Sequence, residues 1–297
     1  MRYILSFIVC LSGLAALIWL WHLSPMIRQT ISQADILKPL LIIFLYLLSH
    51  VLRMVRLANL TLDQRRKIPE LLLAHTIASF PAAVIPLKLG ELFRIGAFYI
   101  VFDGHQKALA IWLIERIGDV LTLILFISLL GAVGVEIPQT VRNVFIVFSA
   151  VSILALLGLY SLSHTFVFLN RYLVLTSSSD RGLRLLKLSY VFKQFELTIR
   201  DCLKGRVAAF WLSSALIWIF EILAYSCFMS QVSDRDMLSD SSFAFGLFGS
   251  LSSQVHGAGQ GVGFFQSFSL ACLTLCGTII FLVFNFLKLG KQPRGLQ

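Results

Sequence analysis

Charge is what this sequence has least of. Only 13% of its 297 residues are Asp, Glu, Lys or Arg, about half the share found in water-soluble domains, which excludes an ordinary globular protein. The five cysteines, Cys10, Cys202, Cys227, Cys272 and Cys276, show no CxxC or Cys/His spacing. Neither a zinc site nor a disulfide framework is indicated, and the five read as small apolar packing residues. No Ser/His/Asp set, phosphate loop or metal motif is visible, so no catalytic residue, metal or cofactor is assigned.

What is present is apolar. Hydrophobic residues make up 58% of the chain, and several runs approach or exceed the roughly 20 helical residues that cross a hydrocarbon core of about 30 Å. They are Tyr3 to His22, Ile36 to Val55, Ala108 to Val133, Val141 to Leu162 and Val207 to Ser230. The first follows Arg2 but is long and lacks a small-x-small cleavage site, so it reads as a retained span and not a leader. The expected fold is a single polytopic all-α membrane domain over 1–297, with six to seven transmembrane helices.

The net charge of +10 does not point to nucleic acid, because the basic residues gather between the apolar runs. Anionic lipid is the partner that such an arrangement fits. Arg53, Arg56, Arg65, Arg66 and Lys67 read as one basic loop, and residues 164–206 carry eight Lys or Arg against three acids. Both belong on the cytoplasmic side by the positive-inside rule. The short acidic segments around Glu136 and from Asp234 to Asp240 then lie outside, which places both termini in the cytoplasm of a cell (inner) membrane protein. Within 164–206, Leu188, Phe192, Phe195 and Ile199 share one helical face, as expected of a basic amphipathic helix lying on the inner leaflet.

Two apolar regions are interrupted. Residues 71–102 contain Ser79, Phe80, Pro81 and Pro86, where proline should end the helix, and a second short helix can begin near Gly90. A re-entrant hairpin open to the cytoplasm follows from the topology. Residues 242–270 contain the run Ser252 to Gly263, including His256, Gly257, Gly259, Gly261 and Gly263, too polar and flexible for a lipid-facing helix. Irregular backbone at membrane depth survives only inside protein or around a wet cavity. Two such breaks approached from opposite faces suggest an inverted repeat with a site between its halves, as in transporters.

The charged residues within these regions are the candidates for chemistry. Lys88, Glu91 and Arg94 are spaced three apart beside Gly90, so on a helix Glu91 can hold both cations, and the helix start with its surplus positive charge could take a phosphate. A salt bridge that pins the hairpin is the plainer alternative. Glu115, Arg116 and Asp119 lie inside an apolar helix, where each costs about 2.5 to 3.5 kcal/mol and must face protein or water. Arg116 and Asp119 can pair, while Glu115 and Asp119, four apart, need either a cation between them or one raised carboxyl pKa. A proton-coupled step and a structural ion network both fit. Glu221 needs a partner from another helix, Arg94 or Arg116. His75 and His256 beside the breaks read as polar hydrogen-bonding residues.

The stretch Ala74 to Arg94, AHTIASFPAAVIPLKLGELFR, followed by ERIGDV at Glu115 to Val120, resembles the flippase-like family typified by the transmembrane region of lysylphosphatidylglycerol synthase. Arg56 resembles that family's basic residue after its second span, and Glu221 the acid of its later tryptophan-containing helix. The resemblance implies a domain that moves lipids with charged or sugar-bearing headgroups between leaflets, or that supports the enzymes that make them. Two departures accompany it. The family's glycine-rich second hairpin usually ends in Glu where this chain has Gln266, and the sequence is shorter, without the aminoacyl-transferase part.

Three functions therefore compete. The first is translocation of a phospholipid or polyprenyl-phosphate-linked lipid, with Lys88, Arg94 and Arg116 on the phosphate and Glu91, Glu115 and Asp119 orienting them. The second is an accessory subunit for a glycosyltransferase or lipid-modifying enzyme. The third is an intramembrane enzyme with Glu115 or Asp119 as general acid or base.

Overall fold

The computed structural model describes residues 9–22, 37–84, 89–102, 105–132, 180–233 and 260–290, together with Phe7, Gly134 and scattered positions between 139 and 172. Every regular element among them is helical. We number them α1 (Val9–His22), α2 (Leu37–Leu60), a 3-10 turn (Leu62–Lys67), α3 (Ile68–Val84), α4 (Leu89–Val101), α5 (His105–Ala132), α6 (Asp180–Leu203), α7 (Val207–Ser233) and α8 (Gln260–Gly290). Two of these contain a stretch long and apolar enough to cross a membrane, Pro39–Leu60 in α2 and Val207–Cys227 in α7.

The helices pack through stripes that repeat at helical spacing. On α2 the inward stripe is Ile42, Tyr46, Ser49, His50, Arg56, Leu57 and Leu60. On α7 it is Phe210, Ser213, Ser214, Ile217, Glu221 and Ala224, and α2 and α7 pack along these faces. Both stripes begin or end apolar and turn polar in the middle. The outward faces of α2, α5, α7 and α8 carry uncovered apolar side chains, with Phe44, Leu125, Leu129, Leu212 and Ile279 all more than half exposed. Only 33% of the apolar window in α2 and 39% of that in α7 is buried within the fold.

Helix α5 reaches α7 where it carries no side chain. A Cβ on Gly118 would stand 2.3 Å from Cζ of Phe210, a buried ring. Gly118→Ala should therefore destabilise the protein by about 1 to 3 kcal/mol, the usual range for overpacking, with partial recovery in Gly118→Ala/Phe210→Leu. Thermal unfolding in detergent measures both, and an unchanged Gly118→Ala midpoint would mean that the two helices separate freely.

Three sequence expectations about helix ends are corrected. Arg53 and Arg56 do not sit in a loop: α2 continues through them to Leu60, because Leu57 and Leu60 extend its buried stripe beyond Val55. Only Arg65, Arg66 and Lys67 belong to the connecting turn. Pro81 does not end α3, which runs to Val84 with the proline inside it. Just before the proline, a hydroxyl from another helix enters the ladder. Thr274 of α8 donates to the Thr76 carbonyl at 3.1 Å and accepts from the Phe80 amide at 3.2 Å. These are the two ends of what would be one rung of α3, and such an inserted group lets a helix tolerate local distortion. The third correction concerns the glycine run, whose last part, from Gln260 through Gly261 and Gly263, is the first turn of α8. Each glycine costs a helix about 1 kcal/mol, but the long apolar segment that follows propagates it.

Helix α6 is held at one end. Its C-terminal half, with Ile199, Cys202 and Leu203, packs into the cluster containing Leu60, Ile111 and Phe210, and it ends at Gly205, where φ is +71°, a conformation that favours glycine. Cys202 is buried, and burial pushes its thiol up to about 11, in keeping with a packing role. The N-terminal half leaves Leu183, Leu188 and Tyr190 exposed beside Arg184 and Lys187.

Candidate functional site

Four arginines and four carboxylates from α2, α4, α5 and α7 meet inside the bundle. Arg56 lies at the dry end, fully buried. Its Nη1 donates to Asp119 Oδ1 at 2.7 Å and to Ser214 Oγ at 2.9 Å, and its Nη2 to Glu115 Oε1 at 3.3 Å. The guanidinium also stands over the Phe210 ring, 5.8 Å from its centroid. Glu115, equally buried, uses its other oxygen to accept from Arg94 Nη2 at 2.7 Å. Arg94 in turn lies over Phe98, 5.5 Å from the ring centroid.

From Asp119 the network continues in two directions. Arg53 is 3.7 Å from Asp119 Oδ2 and donates to Glu221 Oε1 at 2.7 Å, where the Ser49 hydroxyl also reaches, at 3.5 Å. Arg116 is 3.6 Å from Asp119 Oδ2 and pairs with Glu91 at 3.0 Å. Trp112 Nε1 donates to the other Glu91 oxygen at 2.9 Å. Exposure follows this order. The Arg56 and Glu115 side chains are 0% exposed, whereas those of Arg116 and Glu91 are 31% and 26% exposed. One end of the network is sealed and the other opens outward.

Formal charge across these eight residues sums to zero. Every carboxylate is within reach of at least one guanidinium, and Asp119 is within reach of three. Isolated charges at such depth would cost several kcal/mol each. Mutual pairing, the Ser214 hydroxyl and two aromatic faces replace the water they have left.

The structure brings Glu91, Arg94, Glu115, Arg116, Asp119 and Glu221 together, and it rearranges their expected partners. Glu91 pairs with Arg116 and Arg94 with Glu115, both across the α4–α5 interface and not along α4. Between Glu115 and Asp119 there is a cation, and it is Arg56. Glu221 is held by Arg53, and not by Arg94 or Arg116. Arg116 and Asp119 approach each other three residues apart, as their spacing requires. Gly90 lies in the first turn of α4. Lys88, His256 and Gly259 fall outside the described residues, and for Gly261, Gly263 and Gln266 only the helical backbone of α8 is described.

Arg53 and Arg56 were missed as site residues. The signal was present, because Ser49, Arg53, Arg56 and Leu60 fall at i, i+4, i+7 and i+11 and so continue one helical face. Among the described residues no three of His, Cys, Asp and Glu gather as a metal site.

A second polar group lies beside the network. His50, one turn before Arg53 on α2, and His75 on α3 are both buried, with ring centroids 6.3 Å apart. Tyr46 meets the His50 ring edge-on at 5.0 Å.

No family model matches this chain, and neither a curated protein nor a solved structure does. Its function has to be read from its own residues.

Proposed function

We propose that this protein lies in a membrane and moves a lipid headgroup between leaflets, with the arginine and carboxylate network as its polar path. The observation that carries this reading is the graded network itself: charge concentrated in the interior, sealed at Arg56 and Glu115 and open at Arg116 and Glu91, inside a bundle with an apolar exterior. That distribution is the reverse of a soluble domain's. Ionisable residues within apolar helices ordinarily mark substrate or ion pathways.

The substrate class is a phospholipid or a polyprenyl-phosphate-linked lipid. Its phosphate would exchange with Glu91 for Arg116 at the open end and then meet Arg94; Lys88, the third cation expected on it, directly precedes α4 in the sequence. Resemblance of Ala74 to Arg94 and of Glu115 to Val120 to the flippase-like family supports the same class. So do the lengths of α3 and α4, 17 and 13 residues, or roughly 25 Å and 20 Å at 1.5 Å per residue, short of a bilayer core. They pack against each other, which is consistent with the re-entrant hairpin expected over 71–102. In this arrangement six to seven helices span the cell membrane and both termini are cytoplasmic; the second hairpin expected over 242–270 lies, up to Gly259, outside the described residues. The half-docked helix α6, with exposed leucines beside basic residues, then rests on the inner leaflet.

Leaflet exchange tests the reading. Purified protein in liposomes should expose labelled lipid of one headgroup class to an impermeant quencher, and Glu91→Gln should reduce the rate at least tenfold while the protein remains folded. Exchange at the wild-type rate in both Glu91→Gln and Arg94→Ala would remove the network from the path. No exchange of amino-phospholipid, lysylated phosphatidylglycerol or polyprenyl-phosphate sugar by folded protein would turn attention to an accessory role.

A further inference from the structure

The network accounts for its charges but leaves two neighbours without hydrogen-bond partners. Both ring nitrogens of His50 and both of His75 are buried and unbonded among the described residues, although the rings are only 7% and 3% exposed as residues. A buried polar atom without a partner is costly, and buried side-chain polar atoms are in large majority bonded. Four such atoms on neighbouring rings of two helices, tilted 39° to each other, are not accounted for by packing. Asp119 Oδ2 is unbonded too, and so are the Nε atoms of Arg53, Arg56, Arg94 and Arg116. The Nε atoms are donors only, suited to oxygen acceptors.

A neutral imidazole has one donor and one acceptor nitrogen. Two of them beside each other are satisfied by a group that both gives and takes a hydrogen bond, which is what a hydroxyl does. An ammonium group can only donate, so it would leave the imidazole N–H groups unmet. It would also bring a further cation to rings that already lie in the field of Arg53 and Arg94. The histidines can be engaged without breaking any ion pair.

We infer that His50 and His75 form a hydroxyl-binding subsite, and that the headgroup taken by this protein is a phosphate ester of a polyol or sugar and not of an amine. The inference rests on the headgroup-binding reading of the neighbouring network and deepens it by naming the substrate class. The phosphate is held from the arginine side, and the hydroxyls of the same headgroup lie between the two imidazoles.

Direct binding to the full-length protein in detergent tests this without requiring transport. Glycerol 1-phosphate and a hexose 1-phosphate should bind about tenfold more tightly than phosphoethanolamine or inorganic phosphate, the gain from one or two well-made hydrogen bonds. The double variant His50→Phe/His75→Phe should lose that preference and still bind inorganic phosphate. Because the rings have no partners to lose, the ligand-free double variant should melt no lower than the wild type, and His75→Asn, which keeps a donor and an acceptor, should retain part of the preference. Equal affinities in the wild type, a preference that survives the double variant, or no binding of any probe would each overturn the subsite.

Short-chain phosphatidylglycerol in the micelle should displace glycerol 1-phosphate competitively, and failure to compete would overturn the assignment to a lipid headgroup. Leaflet exchange separates the two proposals. Preference without exchange overturns translocation and leaves the subsite standing. Exchange that Glu91→Gln abolishes, with no headgroup preference, does the reverse.

Discussion

Replacing Arg56 with methionine should destabilise the folded protein by about 3 to 5 kcal/mol, the cost expected when one partner of a buried ion pair is removed and the other is left uncompensated. Among the described residues Arg56 is the largest fully buried side chain, and it alone joins Glu115 to Asp119. Without it Asp119 keeps only the longer contacts to Arg53 and Arg116, at 3.7 Å and 3.6 Å. Ser214 also loses its donor. Methionine refills most of the volume, so the loss is electrostatic and not a cavity effect. Titration of the detergent-solubilised protein with SDS, followed by helix content, should show the midpoint falling sharply. An unmoved midpoint would mean that water reaches Asp119 and the interior is not dry.

The second large effect is a reversal. Arg53→Glu places a carboxylate where Glu221 Oε1 was bonded at 2.7 Å and Asp119 lies at 3.7 Å. Glu221→Arg places a guanidinium against Arg53. Each single variant should fail to accumulate as folded protein, since like charges in contact at low effective dielectric repel by several kcal/mol. The double variant Arg53→Glu/Glu221→Arg restores the pair and should recover part of the yield and melting temperature. Recovery is partial because the new Glu at 53 still faces Asp119, which Arg56 and Arg116 then hold without help. Fluorescence-detected gel filtration of the four proteins measures this directly. A loss in the double variant equal to the sum of the two single losses would show that the two residues contribute independently.

The helical architecture was legible in the sequence because apolar runs and scarce charge leave little else. The apolar runs of α2 and α7 could be read from length alone, and Glu115, Arg116 and Asp119 stood out because three charges within five apolar-flanked positions must face inward. Arg53 and Arg56 were hidden by the same rule. Charges at the end of a 20-residue window look like a flank, and only the continued spacing of Leu57 and Leu60 shows that the helix goes on. Which acid meets which base was beyond the sequence, since Arg53 and Glu221 are 168 positions apart and their pairing is decided by how α2 lies on α7. Proline was also misleading. Pro81 removes the donor that would meet the Ile77 carbonyl, yet α3 runs on to Val84, and the Thr274 hydroxyl that braces the turn just before it lies 194 positions from the Phe80 amide that it accepts from.

That hydroxyl ties two helices together through main-chain atoms. Because Thr274 bonds to both the Thr76 carbonyl and the Phe80 amide, and because a Cβ on Gly277 would come within 2.6 Å of Thr76 Oγ1, α8 is keyed to α3 at one register. A slide of one residue along the contact would separate Thr274 from both backbone groups and bring a bulkier neighbour to the place of Gly277. The pair therefore behaves as a splinted strut, and any change of shape in the bundle has to turn about it.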